Sequence, residues 1–147
     1  GWAKPVPVNP YVIRQKSPAG LMLVSLAGPL SNLTMAAIGG VVIRLLVAFK
    51  ASWTPIWLLE FIFQFIIINI LLFLFNMIPV APLDGEKVMA YTLPNAWQAA
   101  FEKVQSIGPY ILLGAILIGR FSNISVFSFL MDVPMQKIYT FLTGLPL

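Results

Sequence analysis

Apolar residues run almost unbroken from Leu21 to Phe49 and again from Trp53 to Ile78. Each run exceeds the roughly 20 residues that a helix needs to cross a bilayer core, so the pattern predicts membrane helices over 21–49 and 53–78. In the first run Gly28, Asn32, Ala36 and Gly40 recur at every fourth position, giving a small-residue face that another helix can approach closely. Pro29 is expected in the first turns, where its missing donor does least harm if the helix proper begins near Leu26 or Ala27. Arg44, near the far end, can snorkel to the headgroups. In the second run Glu60 and Gln64 lie one turn apart and Asn69 and Asn76 two turns apart, on nearly opposite faces. Glu60 is close enough to Trp53 and Trp57 to reach the interface. Asn69 and Asn76 lie deep and need a protein or water partner, so the asparagine face should point into the protein.

The second run ends in Asn76-Met77-Ile78-Pro79-Val80-Ala81-Pro82-Leu83-Asp84-Gly85. Two prolines so close together force the helix to stop or unwind, and irregular backbone at membrane depth survives only where protein buries it or it lines a wet cavity. Helix resumes over 84–93. Residues 1–20 hold Pro5, Pro7, Pro10 and Pro18, with Trp2 and Tyr11 beside Lys4, Arg14 and Lys16, and read as an extended interfacial segment. Asn95 and Gln98 stand at capping-box spacing, and Trp97, Phe101 and Val104 share a face, as in a helix lying along the interface. Residues 107–119 and 121–131 are each short for a span and fit either one tilted helix or a re-entrant pair. Pro134 to Leu147 reads as a last interfacial helix. The expected fold is therefore an all-α integral membrane protein of about three transmembrane helices in a single domain, 1–147. A Pro-broken helix runs from Asn76 to Asp84, and interfacial plus membrane helices fill 95–131.

Composition agrees: of 147 residues 59% are hydrophobic and 10% charged, with a mean hydropathy of +0.90, whereas soluble domains carry about 25% charged residues. Cysteine and histidine are both absent. That excludes a disulfide framework, a thiolate metal site and any imidazole ligand or proton shuttle from this chain. The net charge of +4 comes from nine scattered basic residues, which fits a cytoplasmic membrane face and not a nucleic-acid patch. The chain starts at Gly1 with no visible signal peptide and reads as a fragment or a processed piece.

Asp84 carries the most chemical information, because an acid at an interrupted membrane helix usually marks function. Aspartate is equally a leading N-cap, and a helix restarting after Pro82 would use it so. Both roles can coexist, since one carboxylate oxygen can accept a backbone bond while the other binds metal. Glu86 reads as negative charge complementing the helix dipole, together with Asp84, and not as a catalytic base.

The pattern Asn76-Met77-Ile78-Pro79 followed by Leu83-Asp84-Gly85 resembles the third-ligand motif of site-2 proteases, the intramembrane zinc metalloproteases. Gly1-Trp2-Ala3-Lys4-Pro5-Val6-Pro7-Val8-Asn9-Pro10 and Ala27-Gly28-Pro29-Leu30-Ser31-Asn32 are similar, in the same order, to blocks of the compact bacterial and archaeal members without a PDZ domain. The resemblance is close as far as Ala90 and extends beyond it only in hydrophobic outline. It implies that Asp84 is the third zinc ligand, that Asn76 holds substrate or shapes the unwound segment, and that Pro79 and Pro82 keep that segment extended beside a substrate strand. The other zinc ligands would be two histidines of a His-Glu-x-x-His segment, whose glutamate activates water. No residue here matches that segment, so the resemblance implies no catalytic residue in this chain, which is expected to be inactive alone. The implied partners are membrane lipid, a transmembrane protein substrate and the missing His-Glu-x-x-His segment of the parent protein, with no nucleic acid, in a multi-pass protein of the cell membrane. Two other readings stay open: a non-catalytic homologue of the same fold, with Asp84 only a cap, and an ion-coupled transporter whose broken helix binds an ion near Asp84 and Asn76.

Overall fold

The computed structural model describes residues 19–121 and 126–147. Among them are six helices and no strand: α1 (Gly20–Ala48), α2 (Ile56–Asn76), α3 (Asp84–Thr92), α4 (Asn95–Ser106), α5 (Gly108–Phe121) and α6 (Val126–Thr143). The expected extended segment lies outside the described residues, except that Gly20 already opens α1. Helices α1 and α2, of 29 and 21 residues, are long and apolar enough to cross a membrane. The pair α4–α5, bent by 57° between them, meets the same criterion as one broken span or re-entrant unit. The molecule is thus an all-α membrane protein with two candidate spans, or three counting the bent pair. At the α1–α2 connection Phe49, Trp53 and Trp57 are largely exposed beside Lys50, the combination that settles at a membrane–water interface.

The core lies where α1, α2 and α6 meet, around Ala36, Ile43, Ile66, Ile70, Met135 and Tyr139. Glycines set how closely the helices approach. A Cβ on Gly39 would stand 2.7 Å from Ile66 Cγ1, and one on Gly40 would stand 2.8 Å from Leu142 O, so α1 receives α2 on one glycine and α6 on the next. Helix α6 runs alongside α2, with Met131 and Pro134 near Leu74 and Met77 at one end and Leu145 near Leu59 at the other. Arg44 reaches this bundle and not only the headgroups: Nε donates to Leu142 O at 2.8 Å and Nη2 donates to Phe141 O, satisfying carbonyls at the end of α6.

Several local expectations are corrected. Helix α1 begins well before Leu26, so Pro29 is interior and fully buried; burial outweighs the local preference for the first turn. The four-residue repeat also drifts. A helix turns once per 3.6 residues, so each step of four rotates by about 40°. Ala36 and Gly40 are buried, Gly28 has turned out to an exposed position, and the buried stripe is completed by Ser25, Pro29, Gly39 and Ile43. Asn95 is the first residue of α4 and not its cap. Pro94 holds the cap position without a side-chain bond, and Gln98 Nε2 donates to Asn95 Oδ1 at 3.2 Å instead. Finally, Pro134 does not start a separate interfacial helix. It lies inside α6, which the core holds together through Met135 and Tyr139.

Candidate functional site at the broken helix

Helix α2 stops at Asn76, and the chain then pairs most of its remaining donors locally. Ile78 N donates to Phe75 O at 3.1 Å, Val80 N to Ile78 O at 2.9 Å and Leu83 N to Val80 O at 3.0 Å. The last bond closes a turn over residues 80–83 with a cis Ala81–Pro82 peptide, the arrangement in which proline occupies the third turn position. Pro79 and Pro82 do end the helix, and both are exposed. The segment between them is turned, however, and not extended as expected. Prolines have no N–H to offer, so the donors left over fold back on nearby carbonyls.

The three residues that follow have distinct tasks. Leu83, buried, takes the N-cap position of α3 with extended backbone and no side-chain cap bond. Asp84 is therefore the first helical residue, and its carboxylate does not cap the helix. Gly85, buried, rests on the end of α2: a Cβ there would lie 2.5 Å from Ile78 O and closer still to Met77 O. This contact seats α3 on α2 and turns Asp84 toward α1, where a Cβ on Gly28 would stand 3.5 Å from Asp84 Oδ2. Gly28 sits about 12 Å along α1 from Gly20 at 1.5 Å per residue, well inside the helix.

Asp84 Oδ1 lies 3.5 Å from Lys87 Nζ, with the two side chains 34% and 44% exposed, so this pair contributes little to stability. Oδ2 accepts no hydrogen bond among the described residues. Asn76, half-buried, turns its amide back to donate to Leu72 O at 2.9 Å. No hydrogen bond joins it to Asp84. Asn69 faces the interior, as expected of the asparagine face, and donates to Phe65 O at 2.8 Å. An open apolar cleft of about 240 Å³ separates Met77, Ile78 and Pro79 from Leu130, Met131 and Pro134 of α6.

One contact of the broken segment is not foreseeable from the sequence. Gln105, in the last turn of α4, bonds both Pro79 O and Ala81 N. In the sequence it is one polar residue of an amphipathic helix, with no signal that distinguishes it.

Catalytic zinc needs three protein ligands and an open position. The chain has no histidine or cysteine, and among the described residues no three acidic side chains come together. Its donors fit one oxygen ligand, Asp84, and not a complete metal site.

Fold and site together define an all-helical membrane protein that holds one carboxylate at a proline-broken helix against a neighbouring span. The family model for Peptidase family M50 matches residues 45–119, which include the whole broken segment, Asp84 and Gln105. The chain belongs to this family, that of the site-2 proteases. Two relatives carry names that describe candidate zinc metalloproteases. YwhC of Bacillus subtilis is 33% identical over 144 residues, covering 87% of this chain and 65% of that protein. MJ0611 of Methanocaldococcus jannaschii is 38% identical over 74 residues, covering 50% of this chain and 35% of that protein. The chain thus spans just under two thirds of the first relative and about a third of the second. No solved structure gives a significant match.

Proposed function

We propose that this chain is part of an intramembrane zinc metalloprotease of the cell membrane, which hydrolyses peptide bonds within transmembrane segments of other proteins. Asp84 supplies the third zinc ligand. Two histidines and a water-activating glutamate come from a His-Glu-x-x-His segment of the parent protein outside this chain. The observation that carries the reading is the placement of Asp84: it is the first residue of α3, makes no cap bond and leaves Oδ2 without a hydrogen bond beside α1. A carboxylate serving only as a cap would turn back onto its own helix. Membership of the M50 family and the names of its relatives support the zinc chemistry. Asn76, Pro79 and Pro82 shape the turned segment, whose exposed prolines and adjoining apolar cleft offer a surface for an unwound substrate.

The test is Asp84→Asn in the full-length parent protein. Asparagine keeps the side-chain shape, and with no cap bond to lose, the change costs at most about 1 kcal/mol of dipole interaction. The variant is expected to fold and insert, to lose zinc affinity by on the order of a hundredfold or more, and to stop cleaving a transmembrane test peptide. Normal cleavage with unchanged zinc content would refute the ligand role. A wild-type parent that neither binds zinc nor cleaves would identify the non-catalytic homologue instead.

A further inference from the structure

The end of α4 meets the broken segment through one side chain. Gln105 Nε2 donates to Pro79 O at 3.0 Å, and Gln105 Oε1 accepts from Ala81 N at 2.6 Å. An amide that donates to one residue and accepts from the second residue after it does what the N–H and C=O of one residue in a parallel strand do around the residue between, here Val80. Ala81 N–H is the donor that the turn leaves over, and Pro79 O accepts nothing within it. Ile78, Val80 and Leu83 use their N–H groups within the segment or on the end of α2, and the two prolines have none. In apolar surroundings an unpaired Ala81 N–H or Pro79 C=O would be costly. Gly108, just beyond the bend, presses on the same place: a Cβ there would lie 2.7 Å from Ala81 O and 2.9 Å from Ala81 Cβ. Apolar burial does not account for this docking, because α4 buries no residue and Trp97, Val104 and Ile107 stay exposed.

We infer that Gln105 is a positioning residue for Asp84. From α4 it fixes the backbone of Pro79 to Ala81, and the turn carries that fixation to the first residue of α3. The path is short and bonded throughout: only Pro82 and Leu83 separate Ala81 from Asp84. Leu83 N–H is tied to Val80 O at 3.0 Å, and Glu86 N–H is tied to Leu83 O at 3.2 Å. The catalytic consequence of this bracing rests on the ligand role proposed above for Asp84, whereas the bracing itself rests on the hydrogen bonds alone.

The experiment uses the full-length parent protein in lipid nanodiscs with Gln105→Met, which keeps the length but loses the amide, and Gln105→Glu, which keeps an acceptor for Ala81 N–H but loses the donor to Pro79 O. Amide hydrogen exchange and cleavage of a transmembrane test peptide are measured per folded molecule. In Gln105→Met, exchange at Ala81 should accelerate about tenfold, with a several-fold rise at Leu83 and Glu86. The value of kcat should fall roughly tenfold to a hundredfold while KM stays within about twofold, since misplacing a reacting group acts on the chemical step. Gln105→Glu should fall between methionine and wild type. Unchanged exchange at Ala81, acceleration that stops before Leu83 and Glu86, or an unchanged kcat in an active enzyme each overturns the inference. If the wild-type parent cleaves nothing, the proposed function fails by itself, and exchange at Leu83 and Glu86 still decides whether Gln105 holds the segment that carries Asp84.

Discussion

Replacing Gly85 by alanine would add one methyl group where main chain already occupies the space. The new Cβ would fall 2.5 Å from Ile78 O and from the Met77 carbonyl carbon, and closer still to Met77 O. Carbon–oxygen contacts ordinarily sit at about 3.3 Å or more, so the overlap is about 0.8 Å. Backbone atoms have no alternative rotamer to relieve it. Gly85 does not have positive φ, so the position demands space and not conformational freedom. Relief requires the first turn of α3 to lift off the end of α2 by about 1 Å, and Asp84, next in the chain, moves with it. Overpacking of this kind costs about 1–3 kcal/mol, offset by at most about 1 kcal/mol from the better helix propensity of alanine. A 1 Å displacement of a reacting group costs on the order of a hundredfold in rate. In the full-length parent protein, Gly85→Ala should therefore lose about 1–2 kcal/mol of stability and far more activity than that loss explains. Thermal unfolding in micelles and cleavage of a transmembrane test peptide measure the two effects. Gly114→Ala is the control: a Cβ there meets nothing within 4 Å, so stability should be unchanged or improved by up to about 1 kcal/mol. Wild-type stability and cleavage in Gly85→Ala would show that the seat of α3 on α2 does not locate Asp84.

Gly40→Leu should cost about 3 kcal/mol or more, because even its Cβ meets Leu142 O, whereas Val42→Leu on the exposed side should stay within about 0.5 kcal/mol; unfolding in mixed micelles compares them, and equal tolerance would remove the argument for close packing of α1 on α6. Arg44→Ala should lose about 1–2 kcal/mol with its bonds to Phe141 O and Leu142 O. Arg44→Lys should recover less than half of that, since one ammonium does not reproduce the guanidinium fork; full recovery in the same unfolding assay would show that charge alone acts there.

Length and composition made α1 and α2 legible in the sequence, because little other than a membrane helix accommodates such apolar runs. The break after Asn76 was legible from Pro79 and Pro82, whose missing donors act locally whatever the surrounding fold. The shape of the broken segment was not, because proline excludes helix without choosing between an extended strand and a turn. That choice fell to bonds between residues such as Val80 and Leu83, whose side chains carry no turn signal. Gln105 was hidden for a different reason: its partners, Pro79 and Ala81, are main-chain groups distant in sequence. The continuity of α6 through Pro134 likewise depended on tertiary burial of Met135 and Tyr139. Asp84 stood out as an acid, yet whether it caps α3 turned on where the helix starts, and a shift of one residue in that boundary removed the cap.

That one-residue shift has a physical basis in the Leu83-Asp84-Gly85 triplet. If Asp84 were the N-cap, its backbone would be extended and its carboxylate would bond an N–H of the first turn of α3. Here Leu83 has the extended backbone instead and buries its side chain, which commits Asp84 to the first helical position. Gly85 then allows α3 to rest on the carbonyls of Met77 and Ile78, and the combination aims the carboxylate across to α1. A carboxylate at membrane depth is costly unless polar groups surround it. Lys87 lies 3.5 Å from one oxygen, and the positive end of α3 begins at Asp84 itself. Neither occupies Oδ2, so the same features that make the acid tolerable leave one oxygen available to a ligand. A cap would have turned one oxygen back onto the first turn of α3, so the placement of Leu83, more than the identity of Asp84, is what leaves the carboxylate facing α1.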